Sequence, residues 1–379
     1  MKVAVVHYWL VGMRGGERVL EEILSLFPQA VIVTHVCDRP KLSKRILQHE
    51  IRETFISKLP FAKRKYQTYL PFMPLALEQM DMTEFDLVIS SESGPAKGII
   101  CRPDAIHICY CHSPMRYIWD QMHVYRANAS RLTRWLMPIV SHKLRVWDVT
   151  SAARVDHFIA NSNYVSQRIE KFYRRSSDVL YPPVATDEFS TAHKSQIGSH
   201  YLMAGELVAY KRPDLAIEAF NKSGRSLTVV GEGNMRKTLE QKSGSNITFL
   251  GKVPFAELKH HFATCRALIF PGEEDFGIVP VEVMASGRPV VAFGRGGALD
   301  TIKEGETGMF FQGQTVSVLN KALDKFETQL LPKVDGTQLR AHAEQFSRER
   351  FRLGLIECLV KSGVLVDSIA LTNDSSEIS

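Results

Sequence analysis

A chain of 379 residues, 45% hydrophobic and 23% charged, can bury the cores of two ordinary domains, which excludes a disordered or low-complexity protein. The net charge of +6 is uneven: residues 1–190 hold 25 Lys/Arg against 19 Asp/Glu, and the remainder is close to balanced. That mild bias suits solvated surface charge, an anionic ligand or an anionic membrane surface, and no nucleic-acid partner is expected.

The opening MKVAVVHYWLVG is short for a secretory leader, is interrupted by His7 and runs straight into Arg14-Gly15-Gly16-Glu17. It reads as the first strand of a cytosolic protein. No stretch approaches the roughly 18 apolar residues of a membrane span. The helical pattern GGERVLEEILSLF follows, with Val19, Leu20, Ile23, Leu24 and Phe27 on one stripe. AVIVTHV, DLVISSE and AIHICYCH then read as strands. A helical region runs from about Ala129 to Ala153, and HFIANSNYVSQRIEKFY repeats strand, turn and helix. Pro182-Pro183 breaks the rhythm and marks a boundary.

A second alternation follows, through HYLMAGEL, PDLAIEAFNK, SLTVVGEG, MRKTLEQK, NITFLGKV, FAELKHHFATC, RALIFPGEED, PVEVMAS and PVVAFGRGG. The expected fold class is α/β, with two facing doubly wound, Rossmann-like domains and ligands at the carboxyl ends of the strands. The expected domains are 1–183 with a returning amphipathic helix at 347–363, then 184–346, then a frayed tail at 364–379.

The strand-end loops carry the polar chemistry. Gly15-Gly16 opens a helix, where free amides can cradle phosphate or simply make a turn. Lys211-Arg212 puts two cations after YLMAGEL, either in the cleft or at a solvated helix start. Gly231 and Val253 lie in loops whose backbone can read a base edge. Glu274 and Glu282 flank Phe276-Gly277-Ile278. Pro280 is expected at the first helical position, with Glu282 in the first turn, as ligand acid or as helix cap. Gly296-Gly297 forms another strand-end loop.

In HICYCH, His107, Cys109 and Cys111 share one strand face and His112 lies on the other, with no second ligand pair at zinc spacing. No metal site is expected there, its two cysteines are expected in the core, and all six cysteines of the chain are expected to be reduced thiols. His112 is either a cleft residue or a hydrogen-bonded structural histidine. Lys58–Met80 mixes four basic residues with Phe, Tyr and Leu, as a lipid-facing surface or a mobile loop. Arg131–Trp147 is either part of that surface or a core helix with a basic outer face.

Glu274 and Glu282, separated by seven residues with Phe-Gly inside, resemble the E-x7-E motif of retaining GT-B glycosyltransferases of family 4. The resemblance runs along nearly the whole chain, through GGERVLEEI, ISSESGPAKG, HICYCHSPMRYIWD, YKRPDLAIEAF, VVGEG and GRGGALDT. It is strongest to bacterial mannosyltransferases that build O-antigen or exopolysaccharide units. It implies that Glu274 holds donor-sugar hydroxyls, Glu282 the ribose, and Lys211 with the Gly15-Gly16 amides the diphosphate. It also implies that His112 contacts the donor sugar. Arg212, Gly231, Val253, Phe276, Gly277, Ile278, Gly296 and Gly297 complete the implied donor site. Where the family usually carries a diphosphate-binding arginine, this chain has Glu206, free to pair with Lys211 or Arg212 or to point away, and Arg212 is the substitute cation.

The resemblance further implies GDP-mannose as donor, with a UDP-sugar as the alternative. A polyprenyl-diphosphate-linked saccharide would be the acceptor, the catalyst would be metal- and cofactor-free, and the enzyme would sit on the inner face of the cytoplasmic membrane. A GT-B epimerase or hydrolase, or a non-catalytic sugar-nucleotide sensor, is the competing expectation.

Overall fold

The computed structural model describes residues 1–127 and 129–365. The expected tail lies outside them from residue 366 on. The chain divides into two compact units, Met1–Tyr181 with a segment returning from Phe351, and Pro182–Arg350.

The first unit holds a seven-stranded sheet of β1 (Val3–His7), β2 (Val31–Thr34), β3 (Ile51–Glu53), β4 (Leu87–Glu92), β5 (Ile106–Cys111), β6 (His157–Ala160) and β7 (Asp178–Val179). The order is β3-β2-β1-β4-β5-β6-β7 and every pairing is parallel. All of β1 and β4 is buried, because helices cover both faces of such a sheet. Helix Gly15–Leu26 lays Val19, Leu20, Ile23 and Leu24 against Val3, Val5, Ile32, Leu87 and Ile89. The returning helix Arg348–Lys361 buries Phe351, Leu355 and Leu359 in that same cluster. Phe351 meets the edge of Tyr110 at 5.6 Å between ring centres. A side chain at Gly354 would come within 2.6 Å of the end of the Leu180 side chain, so helix and strand-end pack closely there.

Two histidines of this unit are buried as neutral rings. His35 bonds Thr54 and the carbonyl of Pro95, and His107 bonds Ser90. Desolvation lowers both to about 4. The unfolded chain therefore takes up protons that the folded one refuses, and stability falls as pH drops through about 6.5 toward 4. Each ring is expected to cost about 2 kcal/mol between pH 7 and pH 5. All four tryptophans (Trp9, Trp119, Trp135, Trp147) lie in this unit, so urea unfolding followed by tryptophan fluorescence at the two pH values reads it directly.

The second unit holds β8 (Tyr201–Ala204), β9 (Leu227–Val230), β10 (Ile247–Gly251), β11 (Leu268–Phe270), β12 (Val290–Phe293) and β13 (Gly308–Phe311), in parallel order β10-β9-β8-β11-β12-β13. Its core gathers Tyr201, Phe220, Leu227, Ile269, Val291, Phe311 and Leu319. In each sheet the first strand lies beside the fourth, β1 against β4 and β8 against β11. Open α/β sheets take ligands beyond the carboxyl ends at such a reversal.

The Lys58–Met80 stretch is not a loop. Short helical turns at Phe55–Lys58, Ala62–Lys65, Tyr66–Phe72 and Met73–Glu78 anchor it through buried Ile56, Ala62, Met73, Ala76 and Leu77. Helix Arg131–Ala152 exposes Trp135, Ile139, Val146 and Val149, so its outer face is apolar as well as basic.

Candidate active site

In the second unit, the loops after β8 and β11 pack on each other. A side chain at Gly272 would lie 2.6 Å from the Lys211 Cα, so glycine lets the two backbones touch. This contact brings the Lys211 ammonium to 2.9 Å from a Glu274 oxygen, with each side chain about one-fifth exposed, at 17% and 20%. Gln314 ties the loops again by donating to the carbonyl of Pro271 at 2.8 Å and accepting from Arg212. Arg212 takes a left-handed backbone (φ +52°) before Pro213 and is held by Asp214 through Nε and Nη2. Glu206 is exposed, and neither Lys211 nor Arg212 pairs with it.

Glycines elsewhere in this unit set the Glu274 loop. Side chains at Gly296 and Gly297 would lie 2.4 Å from the Glu274 carbonyl oxygen and 2.2 Å from the Phe276 Cα, and the Gly297 amide donates to that carbonyl at 2.8 Å. They fix the backbone that presents the acid. Gly231 (φ +139°) has a similar duty, since a Cβ there would collide with the Gly205 carbonyl at 1.9 Å. Val253 is half-buried just beyond β10.

Helix Ile278–Ala285 starts earlier than the sequence suggests, at Ile278 after Gly277 in a left-handed conformation (φ +88°). Pro280 is therefore third in the helix and Glu282 lies in the second turn. Glu282 therefore stands beyond the first turn, within which the field of the helix end favours an acid. Phe276 is only 3% exposed and packs against Phe346, so its side chain belongs to the core.

In the first unit, three strand ends converge. His7 closes β1 and pairs in register with Ser91 of β4, and His112 follows β5. Ser91 Oγ lies 3.0 Å from His7 Nδ1 and 2.9 Å from His112 Nε2. The His112 ring meets the edges of Tyr8 and Tyr110 and remains partly exposed. Desolvation first, then His7, pushes its pKa down to about 3, so it is neutral at working pH. Helix Gly15–Leu26 starts beside this group. Glu17 accepts the Arg14 amide at 2.9 Å, and the Gly15 and Gly16 amides are at the open first turn. Tyr8 covers Gly16 so closely that a Cβ there would sit 2.3 Å from its hydroxyl. Cys109 and Cys111 are core residues with Phe158, Val165 and Ile169.

The Lys211–Glu274 pair and the His7–Ser91–His112 chain escape sequence reading, because each joins residues from different strand ends. The only local signal is that every member lies in the last two residues of a strand or in the loop that follows one.

The family model for Glycosyltransferase Family 4 matches residues 13–188, and that for Glycosyl transferases group 1 matches residues 190–348. An uncharacterized glycosyltransferase of Methanocaldococcus jannaschii is 26% identical over 53% of this chain and 58% of its own length. An alpha-1,3/1,6-mannosyltransferase of Schizosaccharomyces pombe is 23% identical over 81% of this chain and 70% of its own. The Anabaena protein HepE, solved with UDP and glucose, aligns with a TM-score of 0.71 at 19% identity over 95% of this chain and 99% of its own. The fold is GT-B. The chain carries a glycosyltransferase family 4 domain followed by a glycosyltransferase group 1 domain.

Proposed function

We propose that the protein is a retaining glycosyltransferase that moves mannose from GDP-mannose to a lipid-diphosphate-linked saccharide in surface-polysaccharide synthesis. The observation that carries this reading is the Lys211–Glu274 pair at the sheet reversal of the group 1 domain, with Glu282 one helical turn into the adjoining helix. Glu274 accepts hydrogen bonds from the hexose hydroxyls and Glu282 from the ribose. Lys211, with the Gly15 and Gly16 amides, takes charge from the departing diphosphate, and Arg212 supplies the second cation in place of the family's arginine, whose position Glu206 occupies. The Gly231 and Val253 loops border the base, the Gly277-Ile278 backbone borders the sugar, and His112 contacts the sugar.

As the anomeric C–O bond to phosphate breaks, positive charge develops on the sugar and negative charge on the diphosphate. Fixed donors aimed at the latter stabilise that state. The acceptor hydroxyl attacks from the face the phosphate leaves, and the phosphate takes its proton, so configuration is retained. Glu274 is a ligand here, not a covalent nucleophile.

The donor is tested by thermal shift. GDP-mannose is expected to raise the melting temperature, by about 2.7 kcal/mol of linkage at a hundred times Kd, and UDP-sugars to leave it unchanged. The opposite ranking overturns the donor assignment. The mannosyl assignment is supported by the S. pombe relative, whose match spans most of both chains.

A lipid-linked acceptor is supported by the first unit's surface. Residues 54–77 and 121–147 carry nine Lys/Arg and no Asp/Glu. Phe61 and Trp135 are 71% and 70% exposed, and Phe72, Leu75 and Ile139 of the same segments are exposed too. Leu70, Pro71, Ile118, Leu136, Val140 and Leu144 line a groove of about 460 Å³ between these segments. No helix among the described residues is long and apolar enough to cross a membrane. In the proposed reading, the basic and apolar surface itself holds the enzyme on the inner leaflet. Binding to phosphatidylglycerol vesicles is expected to weaken about tenfold in Trp135→Ser/Ile139→Ser and to fall with salt. Equal binding by wild type and variant removes the surface from the proposal.

A further inference from the structure

His7 is fully buried, and its Nε2 has no hydrogen-bond partner, although Glu17 Oε1 lies 3.9 Å away. Glu17 is 2% exposed and fixed by its bond from the Arg14 amide. Ser91, also fully buried, stands between His7 Nδ1 and His112 Nε2. A serine hydroxyl has one proton, so it donates to one imidazole and accepts from the other. The direction of this chain is therefore set at its far end. A carboxylate facing His7 Nε2 favours a proton on that nitrogen. His7 Nδ1 is then the acceptor of the Ser91 proton, and Ser91 Oγ accepts from His112 Nε2–H.

We propose that Glu17 is a positioning residue which, through His7 and Ser91, holds neutral His112 with its proton on Nε2 and its Nδ1 bare, as an acceptor for a donor-sugar hydroxyl. The contact between His112 and a sugar rests on the glycosyltransferase reading; the proton order does not. The chain explains why a histidine and a glutamate are buried beside the Gly15-Gly16 turn, where an apolar pair would pack as well. It also gives the site an acceptor that does not change protonation near neutral pH.

The test is the tautomer of His112, read by nitrogen NMR of 15N-histidine protein and assigned with His112→Gln. Wild type is expected to show His112 Nδ1 unprotonated. Glu17→Gln keeps the helix-start bond through its amide oxygen and turns an amide N–H toward His7 Nε2. It is expected to reverse the chain and move the His112 proton to Nδ1. Ser91→Ala cuts the chain and is expected to leave His112 a mixture of both forms. In turnover, Glu17→Gln should lose about tenfold in kcat/KM with GDP-mannose, and no further activity with a donor lacking the hydroxyl that His112 contacts. An unchanged His112 tautomer in both variants overturns the proposal. A reversed tautomer in a protein that binds no sugar nucleotide supports the proton order and instead refutes the glycosyltransferase reading.

Discussion

Glu274→Gln is expected to lower kcat/KM by about 10²- to 10³-fold while leaving the protein folded. The substitution keeps the side-chain volume but removes the charge that holds Lys211 Nζ at 2.9 Å, and under the proposed role it weakens acceptance from the sugar hydroxyls. Lys211→Met should cause a loss of the same order. The double variant should lose much less than the product of the two, because the groups act as one unit. Stability should change little. A partly exposed ion pair contributes up to about 1 kcal/mol, or about 2–4 °C in Tm for a unit of this size. Steady-state kinetics beside a melting curve separates the two effects. Activity within a few-fold of wild type in a folded Glu274→Gln protein would remove the pair from the reaction.

The largest expected stability loss lies elsewhere, in the β4 loop of the first unit. Lys97, Glu92 and Asp148 are all fully buried. The Lys97 ammonium bonds Asp148 and sits 3.4 Å from Glu92. Asp148 also receives Trp119 N–H at 2.7 Å and Tyr173 O–H at 2.9 Å, while Glu92 receives the amides of Ala96 and Lys97. Desolvation opposes the charge on Lys97, but Asp148 and then Glu92 outweigh it and raise its pKa well above the ordinary value. A raised lysine pKa keeps its contribution intact below about 10.5, across the whole neutral range, and loses it only at higher pH. Desolvation raises the Glu92 carboxyl, and Lys97 restrains that rise.

Lys97→Met leaves two acids in an apolar site. It is expected to cost about 3–5 kcal/mol in urea unfolding followed by tryptophan fluorescence. Adding Glu92→Gln and Asp148→Asn should recover much of that loss, since the penalty comes from uncompensated charge rather than from volume. A loss below about 1 kcal/mol would show that water or proton uptake already relieves the site.

Much of this molecule is readable along the chain. Helix Gly15–Leu26, helix Arg348–Lys361 and strands β1, β4 and β5 follow from side-chain spacing, which is a property of neighbouring residues. The glutamates at 274 and 282 stand out because acids sit among apolar neighbours. Three strands do not stand out. β3 and β7 are short edge strands of three and two residues, and β13 begins at Gly308, where a Cβ would strike the Val290 carbonyl at 2.3 Å. Their pairing comes from the sheet rather than from their own pattern. Gly296-Gly297 reads equally as a ligand loop or a plain turn, and only the fold shows it packed beneath Glu274.

The sequence by itself determined the alternation of strands and helices, the break at Pro182-Pro183 and the candidate acids and cations, because periodicity, proline and charge act locally. Tertiary structure alone decided that Lys211 meets Glu274 and that His7 reaches His112 through Ser91. Those meetings depend on β8 lying beside β11 and β1 beside β4. Strand order is settled by how whole layers bury their apolar faces, and no window of neighbouring residues contains it.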